Sequence, residues 1–427
     1  MDTNISTAEA PITITPTTTT APSWLGPSLQ LLCGFAGVTQ SKPLKTFALA
    51  YALYFFVYYS LNRPTVNGDY MAVYIFGTTL FNQTWRIACI NFLQDATEFQ
   101  RSVPANEARA IAERKKNDAA TVTKEVSRDG RSSKTVVEGR KKQRRVLTTV
   151  LDALELGFMT ARGVGWNFRV RISVPGVPPT YPRWKFVRDM LRGALWRVLA
   201  IDLASSYIRS TPLGTLPVTQ RMQDMPRPHG LFLACILYTT SRWTMELLFS
   251  ILAAVSVGTG LHDPAKWPPL FGPLREAYTV RRFWKFTWHQ MMRGAAAPPS
   301  RWLVRSVLKL RKGSFASNYA QVLVAFSVAY ALHGYASFIA GGDHSGDLWY
   351  YMQQVLVIFV EDQAVLLGKR VGFQDAWYWR GLGYVWMATV RSHGLMYWQD
   401  HAAVRGAFVK SPLGFSLVDR VRVRYGW

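Results

Sequence analysis

The 427-residue chain is 49% hydrophobic and 14% aromatic, and carries a formal net charge of +24. A soluble chain of this length divides into domains of short alternating elements, but here the apolar residues gather in runs near the roughly 20 residues a membrane-spanning helix needs. The positive charge sits between those runs, as cytoplasmic loops require, which argues against a nucleic-acid-binding protein and for contact with membrane lipid.

Residues 1–23 are rich in Thr, Pro and Ala, lack Lys and Arg, and contain no apolar signal-peptide core, so they read as a disordered tail. Within 24–95, the runs Trp24 to Val38, Leu44 to Leu61 and Met71 to Leu93 read as three spans. Lipid admits only helices or closed barrels as spanning backbone, and runs of this length favour helices. The segment 96–190 is read as a cytosolic connector. It holds the polar stretch Arg101 to Arg145 with "ERKKND" and "GRKKQRR", then "TARGVGWNFRVR" and the Pro-rich "SVPGVPPTYP".

The segment 191–400 is the expected membrane core. It opens on Trp196 to Ile208, a short run carrying Arg197 and Asp202 that either crosses or lies in the interface. Leu231 to Val257 follows, then a basic aromatic segment from His262 to Lys312, then runs Tyr319 to Ala340, Leu348 to Leu367 and Leu382 to Trp398. Residues 401–427 form a basic tail; Arg405, Lys410, Arg420, Arg422 and Arg424 would become luminal if the last run crosses fully, so that run is re-entrant or one span is miscounted. The expected fold is all-α, a polytopic transmembrane helix bundle of about eight spans. Cys33, Cys89 and Cys235 each fall in a predicted span, so neither a disulfide framework nor a metal site is expected.

Seven histidines are present. His333 lies inside the apolar "VLVAFSVAYALHGYASFIA", where an ionisable group is costly and points to function. A neutral imidazole there can accept a hydroxyl proton, or it can serve helix packing; the surrounding residues leave both readings open. His289 lies in "RRFWKFTWHQMMR", Arg281 to Arg293. If that stretch is helical, Arg281, Lys285 and His289 share a face, a row able to hold phosphates. Composition alone favours an amphipathic interfacial anchor helix with no catalytic duty. Glu361 and Asp362 are further charges within a span, read as lining a passage, and His393 is the fallback base, with Arg391 beside it suggesting a wetter setting. His344 with Asp347 reads as a loop feature. No HxxxD, HExxH or GxSxG pattern occurs.

"DPAKWPPLFGPLREAYTVRRFWKFTWHQMMR", Asp263 to Arg293, resembles the signature of the wax-synthase-like branch of the membrane-bound O-acyltransferases: Trp267, Pro268 and Phe271, then Phe283 and Trp284, then Trp288 and His289. "RGVGW", Arg162 to Trp166, is similar to a further segment of the fungal members. The family carries a histidine within an apolar span, matched by His333, although Tyr330, Ala331 and Leu332 stand where members often show Ser-Gly. The resemblance implies an internal tunnel, His333 and His289 as catalytic residues, and acyl-CoA as co-substrate. Its phosphates would lie near Arg281, Arg282, Lys285 and Arg293, with Trp288 alongside, and neither a metal nor a bound cofactor is needed. Fungal members point to acetyl-CoA as donor and a lipophilic terpenoid or meroterpenoid alcohol as acceptor, in a multi-pass protein of the endoplasmic reticulum. The alternatives are a long-chain wax ester synthase, or a non-catalytic transporter whose proton path runs through His333, Glu361 and Asp362.

Overall fold

A computed structural model describes residues 22–64, 69–100, 146, 148–159, 162–169 and 174–425. Nearly all of the expected 1–23 tail and the whole Arg101 to Arg145 loop lie outside the described residues. Among those described the fold is helical, without a β-strand. The principal helices are α1 (Leu25–Thr39), α2 (Lys42–Leu61), α3 (Tyr70–Phe92), α4 (Arg183–Arg209), α5 (Arg227–Gly258), α6 (Met292–Arg301), α7 (Phe315–Gly341), α8 (Ser345–Arg370), α9 (Trp377–Ala403) and α10 (Leu417–Tyr425). Each apolar run picked out in the sequence falls on one of these helices.

Their ends follow ordinary capping chemistry. The Asp69 carboxylate accepts the Ala72 N–H at 3.2 Å to start α3, and the Ser314 hydroxyl accepts the Ser317 N–H at 3.2 Å to start α7. Helix α7 stops at Gly342, whose left-handed φ of 83° closes an N–H bond to the Phe338 carbonyl. Two helices, α2 and α7, are long and apolar enough to cross a membrane by length and composition. The rest are more polar than the sequence reading assumed: α8 carries Asp347, Glu361 and Asp362, and α9 carries Arg391 and Asp400, all facing inward or toward neighbouring segments.

Three parts of the chain differ from expectation. Trp196 to Ile208 is the second half of the 27-residue α4, and its charges are partnered. Arg197 Nε donates to Glu246 at 3.0 Å, while Asp202 accepts the Leu417 and Val418 N–H groups at 2.8 and 3.1 Å. The C-terminal region read as a basic tail therefore docks on α4 through α10, reinforced by Arg209 on Asp419 at 2.6 Å. Within 96–190, the stretch Glu155–Met159 is a π-helix packed on α1 rather than a free loop.

Helix α7 is central, lying against α3, α6 and α8, while α9 packs on α8 and α5 and α4 runs along α5. One apolar core joins α1, α2 and α3 with Ile339 of α7, and a second joins α5, α7, α8 and α9. The α3–α7 contact is close because Gly77 presents no side chain; a Cβ there would lie 2.8 Å from Ala336 Cα. Gly77→Leu is expected to force the two helices apart, costing about 1–3 kcal/mol through overpacking. A lower midpoint than wild type in a thermal unfolding series on detergent-solubilised protein checks this.

Candidate active site

His333 projects from α7 into a space between three other helices. Its Nδ1 lies 2.6 Å from the Tyr74 hydroxyl of α3. Tyr351 of α8 stacks on the imidazole at 5.1 Å and 17°, and Trp398 of α9 meets it edge-on at 6.1 Å. The Trp398 indole N–H donates to the buried Asp347 carboxylate at 2.8 Å, which fixes that ring. A histidine pinned on three sides by α3, α8 and α9 faces inward, and its orientation is set by one hydrogen bond and one stacked ring.

The second histidine arrives on a non-helical segment. Thr279 caps a single turn, Val280–Arg282, which widens at once into a π-helix, Phe283–Thr287. The backbone is extended by Trp288 (φ −72°, ψ 153°), so His289 lies outside the helix and cannot share a face with Arg281 and Lys285. The phosphate-holding row expected from helical spacing is not formed. A long-range contact ends the helix: the Gly272 N–H donates to the Thr287 carbonyl at 2.9 Å, and a Cβ at Gly272 would meet the Phe286 carbonyl at 1.8 Å.

Two carboxylates of α8 hold this turn. Glu361 accepts the Val280 and Arg281 N–H groups at 2.7 and 3.1 Å, capping the turn from the side. Asp362 takes Arg281 in a forked contact, with Nε at 3.0 and 3.1 Å, and also accepts from the Tyr319 hydroxyl at 2.8 Å. Glu361 and Asp362 are therefore anchors for the 280–287 segment, not the passage lining expected of them. Gln354, fully buried in α8, receives the Trp284 indole N–H at 3.1 Å.

The "RGVGW" and Trp-Pro segments meet in the same region. Arg162, buried, donates from its two terminal nitrogens to the Pro268 and Pro269 carbonyls, each at 2.7 Å. Behind it, Trp166 Nε1 donates to Glu155 at 3.1 Å, Glu155 lies 2.8 Å from His262 Nε2, and His262 Nδ1 lies 2.7 Å from the Ser256 hydroxyl. The clamp sets Phe271, which stands edge-on to Trp288 at 5.1 Å and to His289 at 5.8 Å. His333 and Arg162 both lie near the His289 ring, and His289 Nδ1 is buried without a hydrogen-bond partner.

The structure thus brings His333, His289 and Trp288 toward one interior region. Arg281 and Arg282 differ from expectation, because their guanidinium groups are engaged by Asp362 and Glu276. Lys285 is exposed, and Arg293 Nη2 donates to the Lys285 carbonyl at 2.6 Å. His393, the fallback base, points outward, whereas its neighbour Arg391 is buried, the reverse of the wetter setting inferred from sequence. His344 is an outlying turn residue 3.0 Å from the Tyr330 hydroxyl. Tyr74, Tyr351 and Trp398 carried no sequence signal, being aromatic residues in apolar runs. Arg391 did carry one, as a charge within a predicted span.

Among the described residues two helices are long and apolar enough to cross a membrane, and one of them, α7, carries His333 toward the other helices of the bundle. The profile described as the membrane bound O-acyl transferase family matches residues 267–357, a stretch containing both histidines. Acetyltransferase ple2 of Rhodocybe pseudopiperita is 34% identical over 232 residues, 53% of this chain and 59% of that one. Acetyltransferase sirH of Leptosphaeria maculans is 32% identical over 233 residues, 53% of this chain and 57% of that one. Acetyltransferase ataH of Aspergillus terreus is 31% identical over 250 residues, 53% of this chain and 81% of that one. The chain belongs to the membrane bound O-acyl transferase family. It spans a little over half the length of the first two of these relatives.

Removing the Glu361 anchor isolates its role. Glu361→Ala leaves two backbone donors without their acceptor and is expected to cost about 1–3 kcal/mol, read as a lowered unfolding midpoint in detergent. Glu361→Gln, which keeps an acceptor oxygen, is expected to retain most of the stability; equal losses in both variants would show that the carboxylate does not cap the turn.

Proposed function

We propose that this chain is a membrane-bound O-acetyltransferase that moves the acetyl group of acetyl-CoA to a hydroxyl of a terpenoid or meroterpenoid alcohol in secondary-metabolite biosynthesis. The observation that carries the reading is that His333 and His289, from separate elements, lie near one another within the stretch matched by the family profile. The acetyl group follows from the relatives, each of which is an acetyltransferase.

In this reading His333 is the base. For Nε2 to accept a proton, Nδ1 must carry its hydrogen and donate it to the Tyr74 oxygen, a contact consistent with the 2.6 Å separation. Nε2 takes the proton of the acceptor hydroxyl as its oxygen attacks the thioester carbonyl. The new C–O bond forms, the C–S bond breaks, and the proton passes from His333 to the departing thiolate, leaving an ester and free CoA. His289, beside Trp288, positions the acyl end of the donor. Lys285 and Arg293, at the outer side of the 283–293 segment, meet the donor phosphates. The remaining long helices join α2 and α7 in an arrangement of about eight spans around a tunnel, in the endoplasmic reticulum, with the alcohol entering from lipid.

Membranes from cells expressing the chain, given radiolabelled acetyl-CoA and a panel of terpenoid alcohols, are expected to form a labelled ester, and His333→Ala at equal abundance to lose at least about a hundredfold of that rate. Equal ester formation by His333→Ala would remove the histidine from the chemistry. Failure of the wild type with every alcohol would favour the transporter reading.

A further inference from the structure

Arg391 lies in the middle of α9 and is 5% exposed. Its guanidinium carbon stands 3.9 Å from the ring centre of Phe283, 5.0 Å from Tyr238, 5.3 Å from Trp284 and 5.9 Å from Trp288. Among the described residues no carboxylate pairs with it, and Nη1 is buried with no hydrogen-bond partner. Other buried charges are answered: Asp202, Asp347, Glu361 and Asp400 each accept from N–H groups at 2.7–3.2 Å. A cation enclosed in an apolar bundle without a counter-charge is strongly unfavourable. Ring contacts offset part of that cost, but they leave an N–H directed at no acceptor.

A second orphan donor accompanies it. The Tyr238 hydroxyl of α5 is buried without a partner, and the Tyr238 ring stacks on Trp288 at 5.1 Å, next in the chain to His289. On its other side Arg391 reaches the Tyr350 hydroxyl. The Tyr350 ring packs on Tyr351 at 5.0 Å, and Tyr351 stacks on His333. Arg391 therefore sits one aromatic ring from His289, through Trp288, and two from His333, through Tyr350 and Tyr351. The carboxylates near this region are engaged elsewhere, Glu246 by Arg197 and Arg242 and Asp347 by the Trp398 N–H, so neither answers Arg391.

Resting on the acetyl-transfer reading, we propose that Arg391 and the Tyr238 hydroxyl form the oxyanion-stabilising pair of the site. As the acceptor oxygen adds to the thioester carbonyl, the C=O π pair moves onto oxygen. The Arg391 Nη1–H and Tyr238 O–H donate to that oxygen, and the pair returns to re-form C=O as the C–S bond breaks and thiolate leaves. Both donors are fixed before reaction, so they gain strength as charge develops. Because they act on the transition state, their loss lowers kcat rather than raising KM.

The test uses the full chain in lipid nanodiscs, with acetyl-CoA and an alcohol that the wild type esterifies. Arg391→Met is expected to lower kcat about a hundredfold, with KM for both substrates within about twofold, and added guanidinium ion is expected to restore part of the lost rate. Tyr238→Phe is expected to lower kcat about tenfold with KM unchanged. Unchanged kcat in either variant, or a loss appearing as raised KM for the alcohol, overturns the assignment and makes Arg391 a packing or acceptor-binding residue. Should Arg391→Met fail to accumulate, Tyr238→Phe decides: wild-type kcat in that variant overturns the assignment. A wild type that makes no ester with any alcohol instead overturns the transfer reading on which the proposal rests.

Discussion

The grip of two adjacent α8 carboxylates on the 280–287 turn is the contact from which the rest of the site follows. Glu361 takes two backbone N–H groups of that turn and Asp362 takes the Arg281 guanidinium, so the segment is fastened to α8 at its start. Fastened there, the chain widens into a π-turn and leaves the helix by Trp288, where the Gly272 N–H takes the Thr287 carbonyl. That exit carries Trp288 and His289 inward instead of along an interfacial face. His333, held independently by Tyr74 and Tyr351, meets them from α7.

The interior is organised by the cost of unpaired polarity in an apolar setting. The carboxylates are spent on joining elements: Asp202 ties α10 to α4, Asp400 holds the Met222 and Gln223 N–H groups to α9, and Asp347 fixes Trp398. Arg162 spends its charge on two proline carbonyls, which turns "RGVGW" into a clamp for the Trp-Pro stretch. Of the buried polar atoms left without partners, three, His289 Nδ1, Arg391 Nη1 and the Tyr238 hydroxyl, lie around Trp288. Satisfied polarity builds the scaffold.

The helices were legible because their apolar runs are long and their ends carry ordinary signals, such as Asp69 before α3 and Gly342 after α7. His333 and His289 were legible through family resemblance and, for His333, through its placement in an apolar run. What spacing could not show depends on partners distant in the chain. Arg281 looked free for phosphate because Asp362, 81 residues on, is invisible to local pattern. Arg391 looked like the mark of a wet surface because no sequence rule says which way a charge on a helix turns, and His393 two positions later points outward while Arg391 points in. Asp202 made α4 look like a poor span until its acceptor role toward residues 417 and 418 was visible. Helical periodicity also failed across 283–289, where the π-turn adds a residue to the repeat and breaks the expected face.

Acyl donor and acceptor are proposed to meet at His333 inside the bundle. That placement is tested most directly by an experimental structure of the chain in lipid nanodiscs with acetyl-CoA bound. The account predicts the thioester carbon on the Nε2 side of His333, within hydrogen-bonding reach of a bound hydroxyl, with Trp288 and His289 alongside the acyl end. A thioester held elsewhere in the chain, with the His333 ring facing lipid acyl chains, would contradict it.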